Sequence, residues 1–388
     1  MRLSTHPIAR REKLCYAVSW NFDYGWCFPL NQVIMGIMAV GAVLGGLDRI
    51  LGNRFGLGER FEEGFRLLGS IALSMVGILC LEPVLSSALR TGISPIYRAL
   101  GLDPGMLGSL LAIDMGGFPL ATGLANRPEV GRYAGIIAAS IFGCTISFTI
   151  PVGMGTVQGE QRGDFAQGML FGLVVMPAGL LLGACMSGLT LPEALWESLP
   201  LFILSAILLL MIRFRPEAAL KGFSAFARFL EAVITVGLVL GAVRFMTGWS
   251  PVAGLLPIED AMAVAASIAV VLLGSLPVAE LLQRALRKPF TWLGERTGMN
   301  QAGVAGLLLT MVSVMPTLAL FPQMDRRSRV VNAAASVSIT SLLSAHLGFA
   351  AGVAPDMLAP MLLAKLLGGV LSVAVALWAT RGMSVRQN

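Results

Sequence analysis

Long apolar segments, separated by short polar ones, follow one another along nearly the whole chain. Most approach the roughly 20 residues that a helix needs to cross a bilayer, and the runs 67–81 and 262–276 contain no charged residue. This pattern predicts an all-α polytopic membrane protein with about 10–11 transmembrane helices. We place the spans near 31–52, 67–89, 105–125, 132–152, 167–189, 198–213, 229–249, 262–283, 302–322, 329–352 and 358–380.

The second half of the chain repeats the first at a distance of 197 positions. Ser-Ile-Ala at 70–72 recurs at 267–269, and Pro119 falls on Pro316, each inside a matching apolar segment. Glycine pairs at this or a neighbouring shift are Gly41 with Gly237, Gly77 with Gly274 and Gly172 with Gly369. Such a repeat predicts two homologous five-helix units with broken helices at the centre. Transporters built from repeats bind their substrates where corresponding helices are broken.

The repeat sets the expected organisation of the chain. The expected parts are an N-terminal extension, cytoplasmic or interfacial (1–30), a first five-helix repeat (31–190), a connecting helix and loop (191–227), a second five-helix repeat (228–380) and a C-terminal tail (381–388). The orientation of the repeats depends on the apolar run 199–212. If it crosses the membrane, six crossings separate equivalent points and the repeats are parallel. If it lies flat at the surface, they are inverted.

Composition agrees with a membrane protein and excludes several other classes. Hydrophobic residues make up 56% of the chain and charged residues 13%, against roughly 25% charged in soluble proteins. The net charge of +6 comes from short basic loops, which set topology and offer no face for nucleic acid. Five scattered cysteines and two histidines favour neither a disulfide framework nor a zinc site. No phosphate-binding loop motif is present, so we expect no ATP-driven motor and no cofactor.

Asp114 is the most informative polar residue, because a carboxylate in the middle of a span is costly unless it is paired or hydrated. Gly116, Gly117 and Pro119 follow it and favour an unwound backbone, whose polar groups must line protein or a watery cavity. As a functional group, Asp114 would be the counter-ion of a cationic ligand or a proton. As a structural group, it would cap a half-helix. We favour the counter-ion.

Other polar or helix-breaking positions are candidates for the same site. Glu82 ends the second span, either at membrane depth or at the helix boundary. His346 lies inside the tenth span and can bind a hydroxyl or relay a proton, although a lone histidine is more often a structural donor. Lys365 lies in the last span and is expected to extend to the membrane surface. The predicted substrate-binding residues are Asp114, Gly116, Gly117, Glu82, Asn300, Ser313, Met315, Pro316 and His346.

Several motifs, taken together and in order, carry a family resemblance. They are Phe-Glu-Glu-Gly-Phe at 61–65, Asp-Met-Gly-Gly-Phe at 114–118, Gln-Met-Asp-Arg at 323–326 with Val-Asn at 331–332, His-Leu-Gly-Phe-Ala-Ala at 346–351 and Lys-Leu-Leu-Gly-Gly at 365–369. On these motifs the chain resembles the EutH-type ethanolamine permeases of bacterial ethanolamine utilisation, from about residue 31 to the C-terminus. The resemblance implies ethanolamine uptake by a multi-pass protein of the bacterial inner (cytoplasmic) membrane, without an ATPase partner.

Ethanolamine is a cation at neutral pH, because a primary amine has a pKa near that of lysine, about 10. Its site therefore needs a carboxylate or aromatic faces for the ammonium group and a polar partner for the hydroxyl. Asp114 is expected to supply the charge, and Asn300, Ser313 or His346 the polar partner. Either facilitated diffusion or ion coupling would drive transport between the two repeats.

Two departures from the family pattern lie near the expected site. Val314-Met315 stands where the family commonly has Asn-Asn, and Ala345 where it often has an acid. A different small polar solute is therefore the alternative substrate. A membrane-embedded enzyme that uses Asp114 and His346 is the alternative from another class, but the sequence shows no accompanying nucleophile or metal-ligand set. We expect a transporter, not an enzyme, with a small amine and the lipid bilayer as partners, and the sequence leaves a homo-oligomer open.

Overall fold

A computed structural model describes residues 27–111, 116–159 and 161–381 of the chain. Within these ranges the structure is helical and contains no β-strand. Nearly all of the predicted N-terminal extension, as well as Asp114 and Met115, lies outside them. Eight helices in the described ranges are long and apolar enough to cross a membrane, which confirms the predicted all-α polytopic membrane protein. They are Leu30–Ile50, Leu57–Gly92, Pro128–Thr156, Gln161–Met186, Leu191–Phe214, Pro216–Thr247, Ile258–Thr297 and Pro355–Ala379.

The first half of the chain contains nine α-helices, and a tenth connects it to the second half. Its α-helices are α1 (Cys27–Ile50), α2 (Leu57–Arg66), α3 (Leu68–Gly92), α4 (Ser94–Ala99), α5 (Met106–Leu110), α6 (Gly117–Leu124), α7 (Pro128–Arg132), α8 (Ile150–Thr156), α9 (Gln161–Met186) and the connecting α10 (Leu191–Phe214). Two π-helical stretches, Tyr133–Gly143 and Thr145–Thr149, join α7 to α8. The segment 128–156 therefore runs as one long helical unit.

The second half begins with two long helices and ends with a third, and four shorter α-helices lie between them. Its helices are α11 (Pro216–Thr247), α12 (Ile258–Thr297), α13 (Gln301–Thr310), α14 (Val314–Leu320), α15 (Arg326–Ile339), α16 (Ala345–Val353) and α17 (Leu358–Ala379). Residues 340–344 interrupt the predicted tenth span between α15 and α16, and Ser341 there has a positive φ of 57°. The predicted tenth span is thus a broken helix.

The connecting helix α10 is longer than the apolar run from which it was predicted. The N–H and Oγ1 of Thr190 donate to Glu193 Oε2 (2.8 and 2.6 Å), a capping box that starts the helix at Leu191. Glu197 of α10 is buried, and Arg127 balances its charge at a distance of 2.8 Å. Polar residues therefore extend the apolar run into a helix of 24 residues, which is long enough to cross the membrane.

The predicted third span is a helical hairpin and not a crossing. Asp103 accepts hydrogen bonds from the N–H of Gly105 (2.8 Å), where the segment starts, and of Arg127 (2.9 Å), just beyond its end. The helices α5 and α6 lie side by side, since a Cβ built on Gly108 would stand only 2.6 Å from the backbone N of Ala121. Both outer ends therefore lie together. We name α5 and α6 hairpin 1.

The predicted ninth span is also a hairpin, formed by α13 and α14, and we name it hairpin 2. Asn300 Nδ2 donates to Gln323 O (2.7 Å) and joins its two outer ends. Thr317 Oγ1 lies 2.8 Å from Thr310 Oγ1 and 2.9 Å from Gly306 O, and it joins the two arms. The predictions of crossings here were wrong because an apolar segment of about 20 residues has the same composition whether it crosses the membrane or folds back inside the protein.

The first long helix of each half packs against a helix of the other half. Helix α1 packs on α12, where Gly41 lies against the backbone of Gly274, and α11 packs on α3, where Gly237 lies against the backbone of Gly77. Small residues let helix backbones approach in this way. The sequence repeat aligns Gly41 with Gly237 and Gly77 with Gly274. Exchanged contacts of this kind are expected of two units related by a two-fold axis.

Candidate functional site

Lys365 lies two turns into α17 and has no exposed surface. Its Nζ donates to the carbonyl O of Ser140 (2.8 Å) and lies 3.1 Å from Nδ1 of His346. The sequence-based expectation that this side chain extends to the membrane surface was therefore wrong. The reason is packing, because α9, α15 and the π-helical segment surround this part of α17 and leave the surface out of reach.

His346 connects the broken tenth span to α17. It lies in the first turn of α16, is 2% exposed, and has its Nδ1 3.0 Å from the carbonyl O of Thr340. An ammonium group only donates hydrogen bonds. Nδ1 therefore accepts from Lys365 in one tautomer, or donates to Thr340 in the other. The imidazole can act as donor or acceptor at this place.

Irregular backbone supplies the carbonyl groups around these side chains. Ser140 belongs to the π-helix Tyr133–Gly143, and π-helical turns are rare and frequent at functional sites. Thr340 leaves the helical conformation after α15 (φ −53°, ψ 132°), so its carbonyl does not continue the helix. We name Lys365, His346 and the carbonyls of Ser140 and Thr340 the central cluster.

The inner end of hairpin 2 contacts the break that precedes His346. The N–H of Leu343 donates to the carbonyl O of Met311 (2.8 Å), and Ser344 Oγ donates to the carbonyl O of Val312. These bonds link the turn of the hairpin to residues 340–344. Hairpin 2 thus reaches the central cluster with its inner end.

Two predicted site residues form that inner end. Ser313 caps α14, because its Oγ accepts from the N–H of Met315 at 3.3 Å. Pro316 stands in the first turn of α14, where its missing N–H leaves no helical hydrogen bond unmade. The structure therefore brings Ser313 and Pro316 to the segment that carries His346.

The inner end of hairpin 1 contacts the same region through α6. Phe118 packs edge-to-face on Phe349 of α16, with ring centroids 5.9 Å apart. Gly117 is buried beside Ala139, the neighbour of Ser140 in the π-helix. Asp114, the predicted counter-ion, lies outside the described residues, in the interval between Leu111 and Gly116.

Two other predicted site residues, Glu82 and Asn300, make their contacts outside the central cluster. Glu82 accepts from Ser86 Oγ (2.7 Å) and lies against Gly123 of α6. Asn300 closes the outer end of hairpin 2, where it also accepts from the N–H of Gly303 (2.9 Å). Met315 lies in the same turn of α14 as Pro316, at the inner end of hairpin 2, and is 48% exposed. These placements give Glu82 and Asn300 structural contacts.

An ionic network closes the outer end of hairpin 1. Arg127 binds Glu193 (2.7 Å) and Glu197 (2.8 Å) of α10, and Glu197 also accepts from the N–H of Asp103 (2.9 Å). Burial acts to lower the pKa of Arg127, but the hydrogen bonds and charges of the two glutamates outweigh burial and raise the pKa. The guanidinium therefore stays charged. These residues and Trp196 line a cavity of about 550 Å³.

Sequence reasoning missed both this network and the role of Lys365. The network joins residues 66 to 94 positions apart, so no local pattern contains it. The available signal was Glu193 and Glu197, one turn apart at the start of an apolar run. For Lys365, the signal was the pair of glycines one turn later, which allows close packing around the lysine.

The central cluster has the chemistry of a small polar binding site. Lys365 donates, two carbonyls accept, and His346 does either, and these buried groups bind one another in apolar surroundings. Within residues 27–111, 116–159 and 161–381, no group of three His, Cys, Asp or Glu side chains could hold a metal ion.

Comparison with known proteins relates the chain to one family over most of its length. The family model described as "Ethanolamine utilisation protein, EutH" matches residues 30–379. A Listeria monocytogenes serotype 1/2a (strain 10403S) protein named "Probable ethanolamine permease EutH" is 40% identical over 356 residues, which cover 91% of this chain and 95% of that protein. A protein of the same name from Escherichia coli (strain K12) is 38% identical, with 90% and 95% covered. "Uncharacterized protein YxeR" of Bacillus subtilis (strain 168) is 35% identical, with 92% and 97% covered. No solved structure matches the chain.

Proposed function

The chain belongs to the EutH family and is a multi-pass protein of the bacterial inner membrane, and on that premise we propose that it is a permease for ethanolamine. The observation that carries the proposal is the central cluster, which lies where two hairpins meet a broken helix inside an apolar bundle. Two relatives that are 38% and 40% identical bear the name of a probable ethanolamine permease. The protein is a transporter and not an enzyme in this proposal.

Ethanolamine offers an ammonium group at one end and a hydroxyl group at the other. The hydroxyl both donates and accepts hydrogen bonds, so it suits a cluster that contains Lys365 as a donor and a Thr340 carbonyl as an acceptor. We propose that Asp114 pairs with the ammonium group. The support is its place in the chain, between Leu111 and Gly117, which both belong to the inner end of hairpin 1.

We propose further that the two halves of the protein are inverted relative to each other. Sequence analysis made their orientation depend on α10 and took the third span for a crossing. With hairpin 1 folded back and α10 long enough to cross, five elements cross between equivalent points: α1, α3, the segment 128–156, α9 and α10. An odd number of crossings turns the second half upside down. The exchanged glycine contacts of α1 with α12 and of α11 with α3 support this arrangement.

In an inverted arrangement, the outer ends of the hairpins lie on opposite sides of the membrane and their inner ends meet at the central cluster. Hairpin 1 would then control access from one side and hairpin 2 access from the other. Alternate movement of the two hairpins exposes one fixed site to each side in turn, as in other transporters built from inverted repeats.

Uptake of radiolabelled ethanolamine into proteoliposomes tests the proposed function. The purified protein is reconstituted without a gradient, with a proton gradient and with a sodium gradient, and empty liposomes serve as the control. Equilibration without a gradient indicates facilitated diffusion, while accumulation under one gradient identifies the coupled ion. If folded protein gives no uptake in any of these arms, ethanolamine is rejected as the substrate.

Labelling of single cysteines from each side of the membrane tests the inverted arrangement. In a cysteine-free background, Asn126→Cys marks the outer end of hairpin 1 and Gln323→Cys that of hairpin 2, and both positions are exposed. A membrane-impermeant maleimide should label one position in right-side-out vesicles and the other in inside-out vesicles. Labelling of both positions from the same side would show that the halves are parallel.

A further inference from the structure

We propose that a groove between α1, α2 and α12 binds the phosphate group of an anionic phospholipid, with Arg49 and Arg66 as its cationic partners. The groove has a volume of about 440 Å³ and is lined by Arg49, Phe61, Glu62, Phe65, Arg66 and Leu273. We name it the α2 groove. None of its residues belongs to the central cluster, so the proposal goes beyond the permease function and does not depend on it.

The first support is that α2 is held closely against both of its neighbours. At its start, Oδ2 of Asp48 in α1 accepts from the N–H groups of Leu57 (2.8 Å) and Gly58 (2.9 Å). Near its end, a Cβ built on Gly64 would stand only 2.6 Å from the backbone of Leu272 in α12. The groove between the three helices is therefore a fixed feature of the fold.

The second support is an excess of positive charge inside the groove. Arg49 Nε donates to Glu62 Oε1 at 2.8 Å, and Arg66 Nη2 donates to the other oxygen of the same carboxylate. One carboxylate therefore serves two guanidinium groups. Among the described residues, Arg49 uses only Nε and Arg66 only Nη2 in hydrogen bonds, and their side chains are 57% and 69% exposed. The other N–H groups can bind phosphate oxygens in pairs.

The charges on the other side of α2 make a useful contrast. Arg60 binds Glu63 (2.7 Å) and Glu280 (3.1 Å), and Arg284 also binds Glu280 (2.9 Å). Two arginines here meet two glutamates, so this group of ion pairs is neutral. The α2 groove differs from it in carrying an unbalanced cation, which is complementary to an anionic ligand.

The third support is the apolar part of the groove, which favours a lipid over a free anion. Phe61, Phe65 and Leu273 line it beside the two arginines, and Phe65 is 54% exposed. On the neighbouring end of α1, Leu47 and Ile50 are also exposed. Exposed apolar side chains at the end of a membrane span contact acyl chains, while arginines at this level reach the headgroups. A phospholipid binds both parts of the groove, whereas inorganic phosphate binds only one.

The fourth support is that the groove lies on the more basic side of the protein. In the arrangement of crossings proposed above, the basic residues on its side include Arg49, Arg54, Arg60, Arg66, Arg162, Arg213, Arg215, Arg284, Arg287, Lys288, Arg296, Arg326, Arg327, Arg329 and Arg381. Those on the opposite side, among the described residues, are Arg90, Arg98, Arg127, Arg132 and Arg244. Such a bias assigns the side of the groove to the cytoplasm, where the leaflet carries anionic lipids.

Binding of a short-chain phosphatidylglycerol to the full chain in a neutral detergent tests the proposal, with native mass spectrometry as the readout. Phosphatidylcholine of the same chain length and inorganic phosphate are the comparison probes. The wild type should bind phosphatidylglycerol roughly fivefold more tightly than phosphatidylcholine, because only the former carries a net negative charge. Arg49→Gln and Arg66→Gln should each remove most of this preference.

Glu62→Gln should act in the opposite direction. It removes the carboxylate that competes with the phosphate group, so phosphatidylglycerol should bind roughly fivefold more tightly than in the wild type. A gain of this kind does not arise from misfolding. Arg287→Gln, at an exposed arginine of α12 on the same side, is the matched control and should keep the wild-type preference.

Two results would overturn the proposal. If inorganic phosphate displaces phosphatidylglycerol at an equal concentration, the groove binds a free anion and the lipid is rejected. If the preference for phosphatidylglycerol is the same in the wild type, the two arginine variants and Glu62→Gln, the groove is not the site. These measurements involve no transport, so failure of the proposed permease function would leave their outcome unchanged.

Discussion

The two hairpins are closed at their outer ends by different kinds of contact. In hairpin 1, Asp103 binds backbone N–H groups at both ends of the segment, and Arg127 connects it to Glu193 and Glu197 of α10. In hairpin 2, the amide of Asn300 joins the two ends, with one bond to Gln323 and one to the start of α13. Just beyond this end, Arg329 donates to Met324 O and pairs with the buried Asp164 of α9, both at 2.8 Å. A carboxylate joins the two ends of the first hairpin and a neutral amide those of the second, and an ionic network lies beside each.

The difference shows that the hairpin shape depends on joining its ends and not on one residue type. An ion pair with a buried partner is costly to break, because the remaining charge stays out of water. A neutral bond is cheaper to break and to form again. The bonds of Asn300 in hairpin 2 are therefore easier to break than the ion pair of Arg127 with Glu197 in hairpin 1.

The largest effect is expected from Asp114, which the repeat aligns with the apolar Met311. Asp114→Asn removes the proposed counter-ion, and we expect ethanolamine uptake to fall at least roughly 10-fold with membrane insertion unchanged, since a buried ammonium group needs a balancing charge. The measurement is proteoliposome uptake. Asp260→Asn, at an exposed carboxylate of α12, is the control. Wild-type uptake by the Asp114 variant would show that no counter-ion acts there.

The next largest effect is a loss of stability, expected when the ionic network at the outer end of hairpin 1 is broken. Arg127→Met leaves Glu197, which is 4% exposed, without its cation, and we expect a loss of roughly 2 kcal/mol in the free energy of unfolding. Thermal unfolding in detergent measures it. Arg162→Met breaks an exposed pair with Glu217 at 3.6 Å and should cost less than about 0.5 kcal/mol. Equal losses in the two variants would remove the distinction between the ionic network and a surface ion pair.

The loss of the Asn300 bonds in hairpin 2 should have a smaller effect than the loss of Arg127. Asn300→Ala removes a helix cap and the bond to Gln323, and we expect a loss of about 1 kcal/mol by thermal unfolding. Asn300→Asp keeps the cap and removes only the donor, so its loss should be smaller. A greater loss for Asn300→Ala than for Arg127→Met would reverse the proposed order of the two hairpins.

The smallest effect concerns the exposed part of the ionic network. The Glu193 side chain is 42% exposed, and Glu193→Gln should cost no more than about 0.5 kcal/mol, because water already screens this pair. Melting temperatures at low and high salt measure the effect. The difference between wild type and variant should shrink as salt rises. A difference that persists at high salt would mean that Glu193 acts as a buried charge.

The sequence indicated a break near Pro316, but it did not indicate that the chain folds back there. Pro316 indicated a break, and the chain does leave the helix between Thr310 and Val314. The same reasoning took both apolar segments for crossings. The bonds that fold them back, from Asp103 to Arg127 and from Asn300 to Gln323, join residues more than 20 positions apart. A hydropathy pattern does not contain such bonds.

The candidate site was predicted in the same partial way. His346 was a candidate from its place in an apolar span, and the structure puts it in the central cluster. Glu82 was a candidate on the same argument, and the structure places it against Ser86 and Gly123. Charge at membrane depth indicates that a residue has a partner, but the identity of the partner depends on which helices meet.

The sequence by itself determined that the protein is a helical bundle in a membrane, because the length and apolar character of each segment are local properties that the bilayer reads directly. It also indicated the break near Pro316, because proline acts on its own backbone, whereas the break at 340–344 contains neither proline nor glycine and α12 continues through Pro277. Only the tertiary structure decided which apolar segments cross and which fold back, and it alone enclosed Lys365 beside His346. Both outcomes depend on contacts between helices far apart in the chain, where packing overrides the preference of a single segment.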